Sequence, residues 1–277
     1  MGLRINTNVP SLSARRTLGV NNEKQAQTLG KLSSGTRITR SADDAAGLAI
    51  SEKLKAQVRS TNQAERNAND GISLIQTAEG GLNEVSNILI RLRELAIQSS
   101  SDTVGDSERK FTDLEYQSLK AEVERISQVT EFNGKKLLNG AGEKYDFQIG
   151  INNNDFNDRI SYNAQLTNSS SASLGIDALT VGSKADAQAS LEMVDAAIQN
   201  VSGQRAELGA VQNRLTSTIQ NLQVSSENLN AANSRIRDTD YAAETAKNAK
   251  LSILTNAGTA VLAQSNAQGS NALKLIG

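Results

Sequence analysis

The stretch Ala187–Ile236, AQASLEMVDAAIQNVSGQRAELGAVQNRLTSTIQNLQVSSENLNAANSRI, sets the architecture. Stepping through it by four and three residues gives Ala187, Leu191, Val194, Ile198, Val201, Leu208, Leu215, Ile219, Leu222, Leu229 and Ile236. Only Arg205, Gln212, Ser226 and Asn233 break the apolar ladder. This spacing keeps one side of an α-helix toward one partner and implies a left-handed supercoil. At 1.5 Å per residue the helix is roughly 75 Å long. No compact domain of this size can wrap such a rod, so its seam requires an equally long partner.

A second ladder supplies that partner. It runs through Ala64, Ala68, Ile72, Ile75, Ala78, Leu82, Val85, Leu89, Leu92 and Ala96, each step being three or four residues. Gly71, Gly80 and Gly81 interrupt it, each costing about 1 kcal/mol against alanine within a helix. Small residues there would let a neighbouring helix approach closely. Ser99 to Gly105 then reads as a reversing turn. Tyr116, Leu119, Val123 and Ile126 mark a shorter third helix that ends near Asn133-Gly134.

The flanks are helical too. Residues 3–32 form a first segment with Leu18, Leu29 and Leu32 as apolar positions. Gly35 can take the left-handed conformation past a helix end, and Ser41 to Asp44 can cap a new one. Residues 35–44, with Gly35, Arg37, Asp43 and Asp44, therefore read as a hinge. Residues 139–182 carry the β signal: Tyr145, Phe147 and Ile149 alternate, as do Ile160 and Tyr162, which predicts one or two hairpins near 139–165. Asn168 to Ser173 reads as a polar joint. Residues 239–268 form a last helix with one stripe through Ala246, Ala249, Ile253, Ala257 and Ala260 and a second through Leu251, Leu254 and Val261.

The expected fold is mainly α: a long antiparallel helical coiled-coil bundle formed by both chain ends, with a small β-hairpin region. Residues 1–40 and 237–277 would make a terminal-helix domain, and 41–236 an outer helical domain. Paired ends this thin cannot bury their seams within one copy. A repeated head-to-tail contact that does not close yields a filament.

Composition narrows the function. Histidine and cysteine are both absent, which removes the side chains most used for proton transfer, thiolate chemistry and transition-metal binding. The 29 basic and 30 acidic residues leave a net charge of −1, and bulk charge suggests no nucleic-acid partner. No cofactor, metal or enzymatic activity is expected: Asp43-Asp44 lacks a third ligand at a matching spacing, and no phosphate-loop motif occurs. No apolar run is long enough to span a membrane, and the first residues lack the apolar core of a secretory signal. A chemoreceptor-like coiled-coil signalling rod would need such a span and a seam of even thickness.

Several runs in fixed order resemble bacterial flagellin. They are Ile5-Asn6-Thr7-Asn8, Leu32-Ser33-Ser34-Gly35-Thr36-Arg37-Ile38, Ala42-Asp43-Asp44-Ala45-Ala46-Gly47, Asn67-Ala68-Asn69-Asp70-Gly71-Ile72-Ser73 and Glu131-Phe132-Asn133-Gly134. Near the C-terminus, Asn213-Arg214-Leu215 and Ser234-Arg235-Ile236-Arg237-Asp238-Thr239-Asp240 continue the likeness. Hook-filament junction proteins share the terminal pattern but usually lack the full Asp-Asp-Ala-Ala-Gly and Asn-Asp-Gly-Ile-Ser set.

The resemblance implies a secreted, extracellular subunit of the bacterial flagellum filament, exported through the flagellum's own channel. It implies an inner core of terminal helices and an outer core without an inserted variable domain, residues 165–185 standing where larger relatives carry one. The implied partners are the chain itself as a helical homopolymer, an export chaperone, hook-filament junction proteins and a cap protein. Assembly contacts are expected at Leu18, Leu29, Leu32, Ile253, Leu254, Val261, Leu273 and Leu275. Arg91, Leu95 and Glu115 match positions by which a vertebrate toll-like receptor recognises flagellins, although Ile90 replaces a glutamine common in recognised relatives. Gly269-Ser270 stands where the family often has Pro-Gln.

Overall fold

A computed structural model describes residues 7–274. The elements in order are α1 (Val9–Ser34), α2 (Ala45–Ser100), α3 (Asp106–Val129), β1 (Glu131–Phe132), β2 (Lys135–Lys136), β3 (Lys144–Gln148), β4 (Arg159–Asn163), α4 (Lys184–Arg237) and α5 (Tyr241–Lys274). The chain divides into two compact units, Met1–Ala56 with Asn228–Gly277, and Gln57–Glu227. The divisions fall inside α2 and α4, whereas the sequence reading drew them at 40/41 and 236/237.

In the second unit α2, α3 and α4 enclose one apolar core. Ala68, Ile75, Ala78, Leu82, Val85, Leu89 and Leu92 on α2, Tyr116 and Val123 on α3, and Ala187, Val194, Val201, Leu208 and Leu215 on α4 are buried in it. On α4 every second rung of the ladder from Ala187 to Leu215 lies at the centre, while Leu191, Ile198 and Ile219 flank it. The antiparallel register of α2 and α4 is constant. Glu65 meets Gln223 at 2.7 Å and Arg93 meets Asp195 at 2.5 Å, a spacing of 28 residues on α2 (65 to 93) and 28 on α4 (195 to 223). Equal rise on both rods is what one uninterrupted heptad seam demands.

The turn from α2 to α3 is closed by Arg109, only 7% exposed. Its guanidinium donates to the carbonyls of Ser99 and Ser101, both at 2.9 Å, and to Asp106 at 2.7 Å. A cation thereby satisfies carbonyls left open at the helix C-terminus.

Three expectations change in this unit. First, α3 ends at Val129, and Asn133-Gly134 is the two-residue turn of hairpin β1–β2, with φ values of 50° and 75°. Asn-Gly is the pair that accepts positive φ at both positions of such a turn. Second, the glycines of α2 admit no helix: a Cβ on Gly71 would meet the Phe147 ring at 3.0 Å, and one on Gly81 would meet Leu138 at 2.7 Å. The close neighbours are the hairpin and the segment before it, and nothing lies within 4 Å at Gly80.

Third, the stretch after β4 is no solvated joint. Thr167, Ser169 and Ser171 are buried, and each finds a partner. Ser169 N–H donates to Leu138 O at 2.9 Å, and Ser171 donates its N–H and hydroxyl to Glu124, both at 2.8 Å. Lys120 donates to the carbonyls of Asp177 and Leu179 at 2.5 and 2.9 Å, and Val181 N–H to Asp113 at 2.8 Å. A buried loop is tolerated only when its backbone groups are satisfied in this way. The Glu124 carboxyl is held below its usual range by Gln128 and by Ser171.

The expected hairpin is antiparallel β3–β4, pairing Tyr145 with Tyr162 and Phe147 with Ile160. The two tyrosine rings stack at 6.2 Å between centroids.

Candidate functional site

The helices of the first unit form the site. α1 begins at Asn8, whose side chain accepts from Ser11 N–H at 3.1 Å, with Pro10 in the first turn. It ends at Gly35, in the left-handed conformation at φ 69°. α5 runs antiparallel beside it: Asn8 Nδ2 donates to Ser265 O at 2.9 Å, Ser11 to Asn266 at 2.7 Å, and Leu18 packs against Gly258.

The contact between these helices is thin and partly polar. Among the described side chains of α1 and α5, burial is confined to Thr28, Leu251 and Ser265. Asn248 Oδ1 and Thr255 Oγ1 are buried with no hydrogen-bond partner among the described residues. Outward, the pair presents Leu29, Ile253, Leu254 and Val261, exposed by 49%, 68%, 42% and 58%. Val9, Leu12 and Val20 are exposed on α1 as well.

The eight expected assembly residues therefore separate. Leu29, Ile253, Leu254 and Val261 face outward, while Leu18 and Leu32 are half-buried. The side chain of Leu273 and the whole of Leu275 lie outside the described residues. Leu251, read in one stripe with Leu254 and Val261, parts from them: it is 6% exposed and belongs to the inner contact.

The segment read as a hinge is tied at several points. Arg37 N–H donates to Arg237 O at 2.6 Å, its guanidinium to Ile236 O at 2.8 Å, and Thr239 N–H to Gly35 O at 2.9 Å. Arg37 also lies 3.6 Å from Asp44. Asp43 accepts the backbone N–H groups of Thr39 and Arg40 at 3.0 and 3.1 Å, which hold its carboxyl below the usual range. Asp44 caps α2 by accepting Gly47 N–H at 2.8 Å. Asp44 thus serves the start of α2 while Asp43 ties the connector before it, and no cluster of three metal-ligating side chains occurs among the described residues.

Arg91 and Glu115 meet through two hydrogen bonds, at 3.0 and 2.9 Å, and Arg91 also binds Glu94 at 2.9 Å. Leu95 does not join them on the surface. It is 2% exposed within the core, because its spacing from Leu92 and Leu89 places it on the inner face.

The model of the bacterial flagellin N-terminal helical region matches residues 5–143, and that of the C-terminal helical region matches residues 191–276. A flagellin of Halalkalibacterium halodurans is 44% identical over 272 residues, covering 98% of this chain and 99% of the relative. The chain belongs to the bacterial flagellin family. The flagellin of Bacillus subtilis is also 44% identical, covering 99% of this chain and 100% of its own length. A flagellar filament core protein of Treponema maltophilum is 42% identical over 284 residues. Among solved structures, Bacillus cereus flagellin superposes with a TM-score of 0.51 at 30% identity, covering 57% of this chain and 88% of that one.

As a family member the chain is a structural subunit of the flagellar filament. The matched N-terminal region contains α1, α2 and α3, and the C-terminal region contains most of α4 and α5. Among the exposed large apolar side chains that fall outside every ladder and were not singled out from the sequence are Phe111, Leu114 and Phe156, exposed by 73%, 66% and 91%. Their only sequence signal is being large and apolar among polar neighbours.

Proposed function

We propose that copies of this chain add to the filament through the outward face of α1 and α5. Leu29, Ile253, Leu254 and Val261 would seat against neighbouring copies, Leu18 and Leu32 would stiffen the pair, and Leu273 and Leu275 would extend the contact. Residues 1–40 and 237–277 would form the inner core and 41–236 the outer core, with no inserted outer domain. The observation that carries this reading is a two-helix pair that buries three described side chains while leaving Leu29, Ile253, Leu254 and Val261, and with them Val9, Leu12 and Val20, in solvent. A solvated helix pair gains little from its own seam, and large apolar side chains left exposed in such number point to an interaction site. Export of the subunit, its chaperone, and the junction and cap proteins at the filament ends follow from the same family reading.

The test is deletion of residues 237–277. A soluble monomer that no longer elongates filament seeds is expected; long filaments grown from the truncated chain would refute the reading. Recognition of the monomer by the vertebrate flagellin receptor rests on the exposed Arg91–Glu115 pair, with Leu95 supporting α2 from beneath. Absence of receptor signalling at high monomer concentration would reject it.

A further inference from the structure

The chain contains two Asn-Gly pairs, Asn133-Gly134 and Asn139-Gly140. Glycine after asparagine is chemically consequential, because a residue without a Cβ leaves its backbone nitrogen free to approach the asparagine side-chain carbonyl. The fold treats the two pairs differently.

Asn133 and Gly134 form the tip of hairpin β1–β2, and both are exposed. Neither the Asn133 side chain nor the Gly134 N–H makes a hydrogen bond to a described residue. Asn133 is also the non-glycine residue held at positive φ, 50°. Two residues of strand on each side hold the turn, backed by the bond from Leu137 N–H to Thr130 O at 3.2 Å. A ladder this short opens at little cost.

Asn139 is tied down. Its Oδ1 accepts Ala141 N–H at 3.0 Å, and both it and Gly140 are half-buried. Gly140, at φ 73°, lies so close to the Asn168 side chain that a Cβ would collide with it. Leu138, just before, is fully buried, and its carbonyl accepts Ser169 N–H at 2.9 Å and the Ser127 hydroxyl at 3.2 Å. Rotation at Asn139 therefore has to break a packed junction, whereas rotation at Asn133 disturbs only a hairpin tip.

We propose that Asn133 is a site of spontaneous deamidation, a mark that accumulates with the age of the chain, and that the fold shields Asn139 from the same reaction. The Gly134 backbone nitrogen, its proton lost to hydroxide, attacks Asn133 Cγ. The Cγ–Nδ2 bond breaks, and Nδ2 takes up a proton from water and leaves as ammonia. Water then adds to either carbonyl of the resulting succinimide and opens it to aspartate or isoaspartate, with nothing oxidised or reduced. Isoaspartate routes the backbone through Cβ and Cγ and so lengthens it by one atom. A two-residue turn depends on its length, and the pairing of Glu131 with Lys136 and of Phe132 with Lys135 is lost in that product. The site is independent of the filament reading, and either can fail alone.

The test ages full-length chains at neutral and at mildly alkaline pH, folded or in denaturant. Trypsin cuts after Arg125, Lys135, Lys136 and Lys144, which places the two sites on separate peptides, 126–135 and 137–144. Mass spectrometry counts ammonia exchanged for water, and methyl transfer from S-adenosylmethionine by an isoaspartyl methyltransferase counts isoaspartate. In the folded chain peptide 126–135 is expected to change faster than 137–144 by about ten-fold or more, the effect of one further hydrogen bond to open. Both rates should rise with pH, because the deprotonated nitrogen is the nucleophile, and in denaturant they should converge. Asn133→Gly, which suits the positive φ, should remove most isoaspartate from the aged folded chain. Hydrogen exchange at Leu137 should quicken on ageing in the wild-type chain and not in this variant. Equal rates at the two sites in the folded chain, or isoaspartate that persists in Asn133→Gly, overturns the proposal. So does a folded chain unmodified at Asn133 when its denatured counterpart is modified, and unchanged Leu137 exchange in the isoaspartate form overturns the loss of pairing.

Discussion

Replacing Ile253, Leu254 and Val261 together by alanine is expected to abolish growth at ordinary subunit concentrations while leaving the monomer folded. Burying a whole aliphatic side chain contributes about 1.5–3 kcal/mol. These three are 68%, 42% and 58% exposed, so roughly half of that contribution is still uncollected in a single copy. Truncation to alanine removes most of it, together about 3 kcal/mol per added subunit, or about 100-fold in the elongation equilibrium. Alanine is also the better helix former, so α5 itself is not weakened. The critical concentration on wild-type seeds, read by sedimentation, should rise by about that factor, and circular dichroism of the monomer should be unchanged. An unaltered critical concentration would refute the assignment of this face to assembly. A collapse of the monomer's own helicity would show that these side chains already serve the single copy.

Adjacent glycines on α2 should respond oppositely to alanine. Gly80→Ala meets nothing within 4 Å and should stabilise by up to about 1 kcal/mol, whereas Gly81→Ala drives a methyl against Leu138 and Thr130 and should destabilise by about 1–3 kcal/mol; denaturant midpoints decide. Burial pushes Tyr116 and Tyr162 up from 10.0 to about 12. Their neutral forms are favoured in the fold, so this stability is whole below pH 10 and is lost as pH rises toward 12, about 2–3 kcal/mol for each ring. Phenylalanine at both positions should flatten that alkaline limb in a pH series of melts. At neutral pH the two substitutions differ. Tyr162→Phe loses a 2.5 Å bond to Thr167 and should cost about 1 kcal/mol, while Tyr116→Phe removes a buried hydroxyl whose neighbour Ser190 already donates to Ala187 O and should cost less. Asp43, held below its usual range by backbone N–H groups, contributes stability that is present above pH 3.8 and is lost as pH falls through its lower folded value. Asp43→Asn should make unfolding of the α1–α2 connector less acid-dependent, as followed by hydrogen exchange at Thr39 and Arg40.

Much of the bundle was legible because heptad spacing is local information. The two ladders placed α2 and α4 with their partners, and alternation at Tyr145, Phe147, Ile160 and Tyr162 located the hairpin, whose register came from the structure. The flagellin likeness then supplied the function from runs of residues at both ends. The terminal site was half legible. Apolar positions on α5 could be read, but not which of them would meet α1, because Leu251 and Leu254 are one helical turn apart and share a ladder. Leu95 shows the same limit. It matched a surface role by position, yet packing with Leu92 and Leu89 turned it inward.

What the sequence settled alone was period, and with it helix lengths, breaks and the need for long partners. Tertiary structure decided orientation and burial. Ser169 and Ser171 look like solvated linker until Leu138 O and Glu124 are brought to them from more than thirty residues away. Gly81 looks like a flaw in a helix until Leu138 and Thr130 arrive against it. Spacing along a chain states which residues share a face, and only the neighbour that arrives decides whether that face is covered.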